Sequence, residues 1–233
     1  METFTRRLKY YGIGFGIGLL FVFFFFKNRG CSWLPGNRVK NSFLERLIVV
    51  SEDDALWLKK KGISEKEVLE ALNDGDVDFN ESLKKGNPKV YKIDKSFEGK
   101  GMIHFYFTLP ENSFISELVL TKAKASSIVN TLEGKGQVIH FPKDNDMVYI
   151  DSSKIVTCMQ DKLGYTDTRL ALKDMKRGLT IDFTNTNFKS KPRPEHTLVW
   201  KNKQQKEIVA KANWYKNKIN ISQLMTKDSL GCD

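Results

Sequence analysis

Residues Tyr10–Phe26 read YYGIGFGIGLLFVFFFF, an uncharged apolar run that nothing else in this 233-residue chain approaches. As a helix rising about 1.5 Å per residue it spans roughly 25 Å, slightly under the ~30 Å hydrocarbon core of a bilayer. Leu8 and the stems of Lys9 and Lys27 extend that reach, and Tyr10 and Tyr11 sit where an interfacial aromatic belt belongs. The run predicts a single transmembrane helix over 10–27, preceded by a basic tail over 1–9. A cleaved secretory signal would share the start Arg6, Arg7, Lys9 but needs small residues at its cleavage site, and FFFFKNR over 23–29 supplies none. Cys31 follows Asn28-Arg29-Gly30, not the small and aliphatic run of a lipoprotein signal. Four consecutive Phe after a glycine ladder also make a poor soluble core helix.

Gly12, Gly14, Gly16 and Gly18 contain two overlapping small-xxx-small pairs, Gly12/Gly16 and Gly14/Gly18. Such pairs let membrane helices approach backbone to backbone, so the expected partners are the lipid bilayer and a second copy of the same helix. A dinucleotide loop is excluded, because no strand precedes these glycines and no acidic residue follows at the required distance. Basic residues flank the span on both sides, so the positive-inside rule gives little direction. A short tail with three basic residues resists translocation. That places the N-terminus inside and the bulk of the chain beyond the membrane, in the periplasm if the membrane is the inner one of a bacterium.

The rest of the chain has ordinary globular composition, enough for one large or two small domains. Its net charge of +10 is uneven: +6 over residues 1–40, −2 over 41–130 and +6 over 131–233. The three cysteines Cys31, Cys158 and Cys232 are odd in number and irregularly spaced, so no disulfide framework is expected. His104, His140 and His196 lie far apart in sequence, and zinc needs clustered ligands. No metal site and no cofactor are expected.

One pattern occurs twice. Gly62-Ile63-Ser64, an apolar helix face and Gly75-Asp76-Val77-Asp78-Phe79 are matched by Gly164-Tyr165-Thr166, a similar face and Gly178-Leu179-Thr180-Ile181-Asp182-Phe183. A β-rich run precedes each, Leu47-Ile48-Val49-Val50 and Met147-Val148-Tyr149-Ile150. In the first copy Ser51 is placed to cap a helix with acidic residues in its first turn, and Gly62 to end it in the left-handed region. Ser64-Glu65-Lys66-Glu67 forms a capping box, with Ile63 and Val68 at staple spacing. Alternating apolar residues follow: Val77/Phe79, Tyr91/Ile93, Ile103/Phe105/Phe107 and Leu118/Leu120. These predict an α+β fold, with an N-terminal transmembrane helix followed by two related small domains, each short helices packed on an antiparallel sheet. The expected boundaries are a juxtamembrane linker over 28–46, a first domain over 47–121, a linker over 122–137 and a second domain over 138–233.

Trp33-Leu34-Pro35-Gly36-Asn37-Arg38-Val39 after the apolar run, then Gly62-Ile63-Ser64-Glu65 and Gly75-Asp76-Val77-Asp78-Phe79-Asn80-Glu81-Ser82, ending in Tyr91, resemble a known family. It comprises small membrane-anchored bacterial proteins, of Bacteroidetes type, that carry a domain of unknown function numbered 4258. The resemblance covers roughly residues 1–95 and is echoed over 164–200; it implies an α+β fold and no established activity. Some members carry a cysteine beside the proline before that tyrosine. Here the stretch is Asn87-Pro88-Lys89, so a role for that thiol does not transfer.

No triad, carboxylate pair or phosphate loop stands out, so no catalytic residue is predicted, and Asp76/Asp78 read as turn and strand-start residues. Lys189, Lys191, Arg193, Lys201, Lys203 and Lys206 crowd the second copy among Phe188, Trp200, Trp214 and Tyr215. Interleaved cations and aromatics suit a polyanion, and equally the outward face of a sheet. The reading preferred from sequence is a non-enzymatic binding or scaffolding module at the bacterial envelope, with an envelope protein or a polyanion as partner and nucleic acid disfavoured. The alternative is a membrane-tethered nuclease-like enzyme of small toxin type using His196 with the basic residues. Carbonate washing is expected to leave the chain in the membrane fraction. Ile17→Arg, which places a charge at mid-span at a cost of about 2.5–3.5 kcal/mol, should release a measurable share of it.

Overall fold

The computed structural model describes residues 2–27, 34–120 and 133–226 and divides the chain into two units, Met1–Val39 and Lys40–Asp233. In the first unit, α1 (Glu2–Lys27) contains a stretch, Arg7–Phe24, long and apolar enough to cross a membrane, and none of it is buried. Phe15 and Phe24 are 71% and 75% exposed. The ladder Gly12, Gly14, Gly16 and Gly18 is open, since a Cβ on any of them would meet nothing within 4 Å.

A further helix, α2 (Pro35–Leu44), occupies much of the stretch expected as a linker. Pro35 suits the first helical position, where its missing N–H costs nothing. Polar composition hid this helix, because it buries only Lys40 and Phe43. Then come β1 (Leu47–Ser51), α3 (Glu52–Lys60), α4 (Glu65–Asp74), β2 (Asp76–Leu83), β3 (Lys89–Phe97), β4 (Gly101–Leu109) and β5 (Ile115–Val119). After the stretch outside the described residues come β6 (Lys135–His140), β7 (Val148–Tyr149), α5 (Ser153–Leu163) and α6 (Thr168–Gly178). The chain continues through β8 (Thr180–Asn187), β9 (Glu195–Lys201), β10 (Glu207–Tyr215) and β11 (Lys218–Thr226).

The capping residues act as their chemistry dictates. Ser51 accepts from the Asp54 N–H, and Ser64 and Glu67 form the reciprocal box. Gly62 takes φ +65°, while the Ile63 and Gly62 amides bond back to Leu58 and Lys59, the pattern of a left-handed C-cap. Ile63 and Val68 are both buried, as a staple requires. Gly75 serves for another reason: its φ is −68°, but a Cβ there would collide with the Ala71 carbonyl and lie 2.9 Å from Ile93. In the second half Gly164 takes φ +68°, and Asp167 caps α6 in place of a box.

The eleven strands of the described residues form one mixed sheet in the order β2-β3-β4-β5-β1-β6-β8-β9-β10-β11-β7. The expected antiparallel sheets are corrected in two places, since β1 pairs parallel with β5 and β7 parallel with β11. Two helices and three strands intervene between the members of each pair, ample for a parallel return, and strand periodicity does not specify the neighbour. The expected linker over 122–137 ends inside β6, which pairs antiparallel with both β1 and β8 and joins the two stretches into one sheet.

The connection β-α-α-β-β-β-β and the local strand order recur on either side of β6. By register, Ile48, Val77 and Ile93 correspond to Val148, Ile181 and Leu198. A bulge recurs as well. Ser82 Oγ donates to the Asp78 carbonyl at 2.6 Å and accepts from the Lys92 N–H at 3.0 Å. Thr186 Oγ1 likewise donates to the Asp182 carbonyl at 2.6 Å and accepts from the Thr197 N–H at 3.1 Å.

Because β1 and β8 run parallel across β6 while β1 and β2 run opposite, the second half is inverted relative to the first. β1 is buried on both faces. Leu47 and Val49 join the second half's core with Phe114, Ile155, Met175 and Trp200, while Ile48 and Val50 point the other way. In the first half an aromatic chain runs Phe79–Tyr91–Phe43–Phe107–Phe105–Phe97, with centroids 5.2–6.4 Å apart, and Phe43 of α2 sits in its middle.

Gly136 of β6 is buried between the halves; a Cβ there would collide with Val49 and the Phe183 ring. Gly136→Ala should therefore lower stability by about 1–3 kcal/mol. A lowered urea midpoint with unchanged slope would read this directly, whereas exposed Gln137→Ala beside it should stay within about 0.5 kcal/mol.

Candidate functional site

A cavity of about 610 Å³ lies where α2, α4, the β6–β7 connection and the β10–β11 hairpin meet. Leu44, Leu69, Met147 and Trp214 form its apolar floor, with the half-buried His140 ring as a polar group beside them. Its rim carries three amides, Asn41, Asn73 and Asn217, and three charges, Glu45, Lys143 and Asp144. Asn41 with Leu44 and Glu45, and Leu69 with Asn73, stand three or four residues apart, so each helix turns one stripe toward the cavity. Asn217 reaches the rim through a two-residue hairpin in which Lys216 and Asn217 take φ 48° and 59°. Both central residues of a type I′ turn need positive φ, which asparagine tolerates.

Buried polar groups hold these walls. The Lys40 ammonium, 7% exposed, donates to the carbonyls of Asn73 at 3.1 Å and Gly75 at 2.9 Å. It supplies the cation that α4 lacks in its own last turn, where orphan carbonyls and the helix dipole favour one. His140 is bonded through Nε2 to the Leu44 carbonyl at 3.0 Å, and burial pushes its pKa down, which favours the neutral ring. A neutral ring that donates through Nε2 keeps Nδ1 as an acceptor. Arg46 donates from Nε to the Ser113 carbonyl at 2.9 Å and from Nη1 to the Ser42 carbonyl at 2.7 Å. Its guanidinium lies 6.0 Å from the Trp214 ring centre, and Phe114 stacks on the same indole at 6.1 Å.

The basic residues singled out from sequence do not form one patch. Lys189, Lys191 and Arg193 precede β9, and Lys201, Lys203 and Lys206 follow its start at the far end, roughly 20 Å away at strand rise. At the near end Arg193 lies over Tyr215 at 5.0 Å. At the far end Lys201 and Lys203 line a second cavity of about 450 Å³. They are joined there by Lys135 and Arg177, which sequence reasoning did not select. Arg177 is committed to buried Asp174 at 2.7 Å, and Asp174 also accepts from Tyr165 at 2.9 Å. Lys206 contributes its backbone N–H to the buried Asn202 side chain.

His196 is 1% exposed. Its Nε2 meets Ser113 Oγ at 2.9 Å, its Nδ1 has no partner among the described residues, and Phe114 and Phe188 flank the ring. Burial pushes its pKa down to about 3, so near neutral pH it is an uncharged core residue facing a cavity of only about 80 Å³. His104 instead faces solvent, as its alternation with Ile103 and Phe105 predicts, and bonds to Asp94 at 2.7 Å. Asp78 keeps a depressed pKa, chiefly through the Glu81 N–H and then Lys92; it shapes the bulge. The described residues contain no group of three or more His, Cys, Asp or Glu able to hold a metal. Cys158, packed at the edge of the second core, is disulfide-bonded, which corrects the expectation from spacing; Cys31 and Cys232 lie outside the described residues.

Comparison with family models, curated proteins and solved structures gives no match to this chain.

His196 makes stability fall in acid. Unfolded, the imidazole takes a proton near its ordinary value of 6.5; folded, only near 3. Above pH 6.5 the ring is neutral in both states, and as pH drops toward 3 the unfolded chain alone gains the proton. The loss is about 1.4 kcal/mol per pH unit in that window. Urea unfolding between pH 7 and 4 should show His196→Gln with a shallower slope than the parent, by close to one proton.

Proposed function

We propose that this chain is a single-pass membrane protein whose residues 40–233 form a non-enzymatic ligand-binding module on the extracytoplasmic side of a bacterial envelope. The observation that carries the binding reading is the 610 Å³ cavity, apolar at its floor and polar at its rim. Its volume falls within the 300–1,000 Å³ of small-molecule sites. The exposed apolar surface of α1 supports insertion in lipid, the medium in which such surface carries no hydration penalty. The bonded state of Cys158 supports an oxidising compartment. The open Gly12–Gly18 ladder supports a dimer through α1. The recurrence of connection, register and bulge on either side of β6 supports an internal duplication. Burial of His196, with its low pKa, weighs against the nuclease-like reading, because a general base works best near operating pH.

The full chain in lipid nanodiscs, probed with phenol by saturation-transfer NMR, tests the binding reading once the signal of empty discs is subtracted. Saturable contact at one site is expected, and Leu69→Trp, which fills the cavity, should remove it without moving the urea midpoint by more than a few tenths of a molar. Contact that does not saturate, or that survives Leu69→Trp, overturns the reading. For topology, protease added outside spheroplasts should digest the soluble unit, and Cys158 should resist alkylation until reduced.

A further inference from the structure

Resting on that binding reading, we propose that the junction cavity takes a neutral saccharide. Three properties of the rim and floor select this class. First, the rim charges nearly cancel, two carboxylates (Glu45, Asp144) against one ammonium (Lys143), so the cavity has no net attraction for a phosphate or a sulfated chain. The cationic groove around Lys201 and Lys203 is elsewhere and differently built.

Second, the groups facing the opening both donate and accept. Asn41, Asn73 and Asn217 each present a carbonyl oxygen and an NH₂, and His140, donating through Nε2 to Leu44, keeps Nδ1 as an acceptor. Adjacent hydroxyls, which also donate and accept, match such a set. An acyl chain would leave those groups unpaired on desolvation, at a cost of about 1–3 kcal/mol each. Third, the floor carries an aromatic ring, half-buried Trp214, which the Arg46 guanidinium and the Phe114 ring approach at 6.0 and 6.1 Å. A pyranose ring sets its C–H groups against the part of the indole that lines the cavity while its hydroxyls point to the rim, and a tryptophan already held by two neighbours loses little side-chain entropy on binding.

The test uses the full chain in nanodiscs, titrated calorimetrically with maltotriose and with N,N′,N″-triacetylchitotriose as neutral probes, heparin hexasaccharide as the anionic probe and phenol as the apolar one. At least one neutral trisaccharide is expected to bind. Asn73→Ala and Asn217→Gly, which retains the positive φ, should each weaken it about fivefold to tenfold, the worth of one hydrogen bond. Lys201→Glu should leave it unchanged. Phenol binding with no trisaccharide binding overturns the saccharide assignment and leaves the cavity as a binding site. Heparin binding more tightly than either neutral probe also overturns it, as does saccharide binding that Lys201→Glu removes and the asparagine variants do not. If no probe binds a chain whose unfolding remains cooperative, this inference and the binding reading fall together.

Discussion

The structure depends on one strand buried on both faces. β1 offers Leu47 and Val49 to one core and Ile48 and Val50 to the other side of the sheet, and it pairs along both edges, parallel to β5 and antiparallel to β6. A strand so placed favours apolar side chains on both faces, and its first four residues, Leu-Ile-Val-Val, are apolar without alternation. Its neighbour β6 inverts the second half relative to the first, and the absence of a side chain at Gly136 lets Val49 and Phe183 meet across it. Two arrays of helices and strands thereby share one sheet.

Around that splice, buried polar groups fix the geometry that apolar contact leaves loose. Lys40 ties α2 to the end of α4, Arg46 ties the α2–β1 corner to Ser113, and His140 ties β6 to Leu44. Each links residues more than thirty positions apart, and all three use a side-chain donor on a backbone carbonyl. The junction cavity is what these ties leave between the elements they position. In the second half Tyr165, Asp174, Arg177 and Trp200 form a comparable chain, Trp200 donating to the Tyr165 hydroxyl at 3.3 Å. Burial and the Asp174 carboxylate hold the Tyr165 phenol well above its usual range.

Local chemistry was legible wherever one or two turns of chain decide the outcome. Ser51, Ser64 with Glu67, Gly62 and Gly164 act as caps because their partners lie within six residues. The α2 helix was not legible, since Lys40 and Phe43 look unremarkable among polar neighbours until α4 and β4 arrive to bury them. The basic residues of the second half looked like one cluster because sequence distance ignores the length of β9. Lys135 and Arg177 joined Lys201 and Lys203 from more than twenty residues away. His196 illustrates the same limit: nothing in Glu195-His196-Thr197 reveals that Phe114 and Phe188 close over it.

Sequence alone determined the apolar helix near the N-terminus, the helix ends and the strand-forming stretches, because hydrophobic period and capping act over a few residues. Only the tertiary structure decided that β1 lies between β5 and β6, that both halves share one mixed sheet, and that residues from four distant segments enclose a cavity. Strand pairing is chosen by which apolar faces can be covered together. That is a property of the whole chain, and no short window of residues contains it.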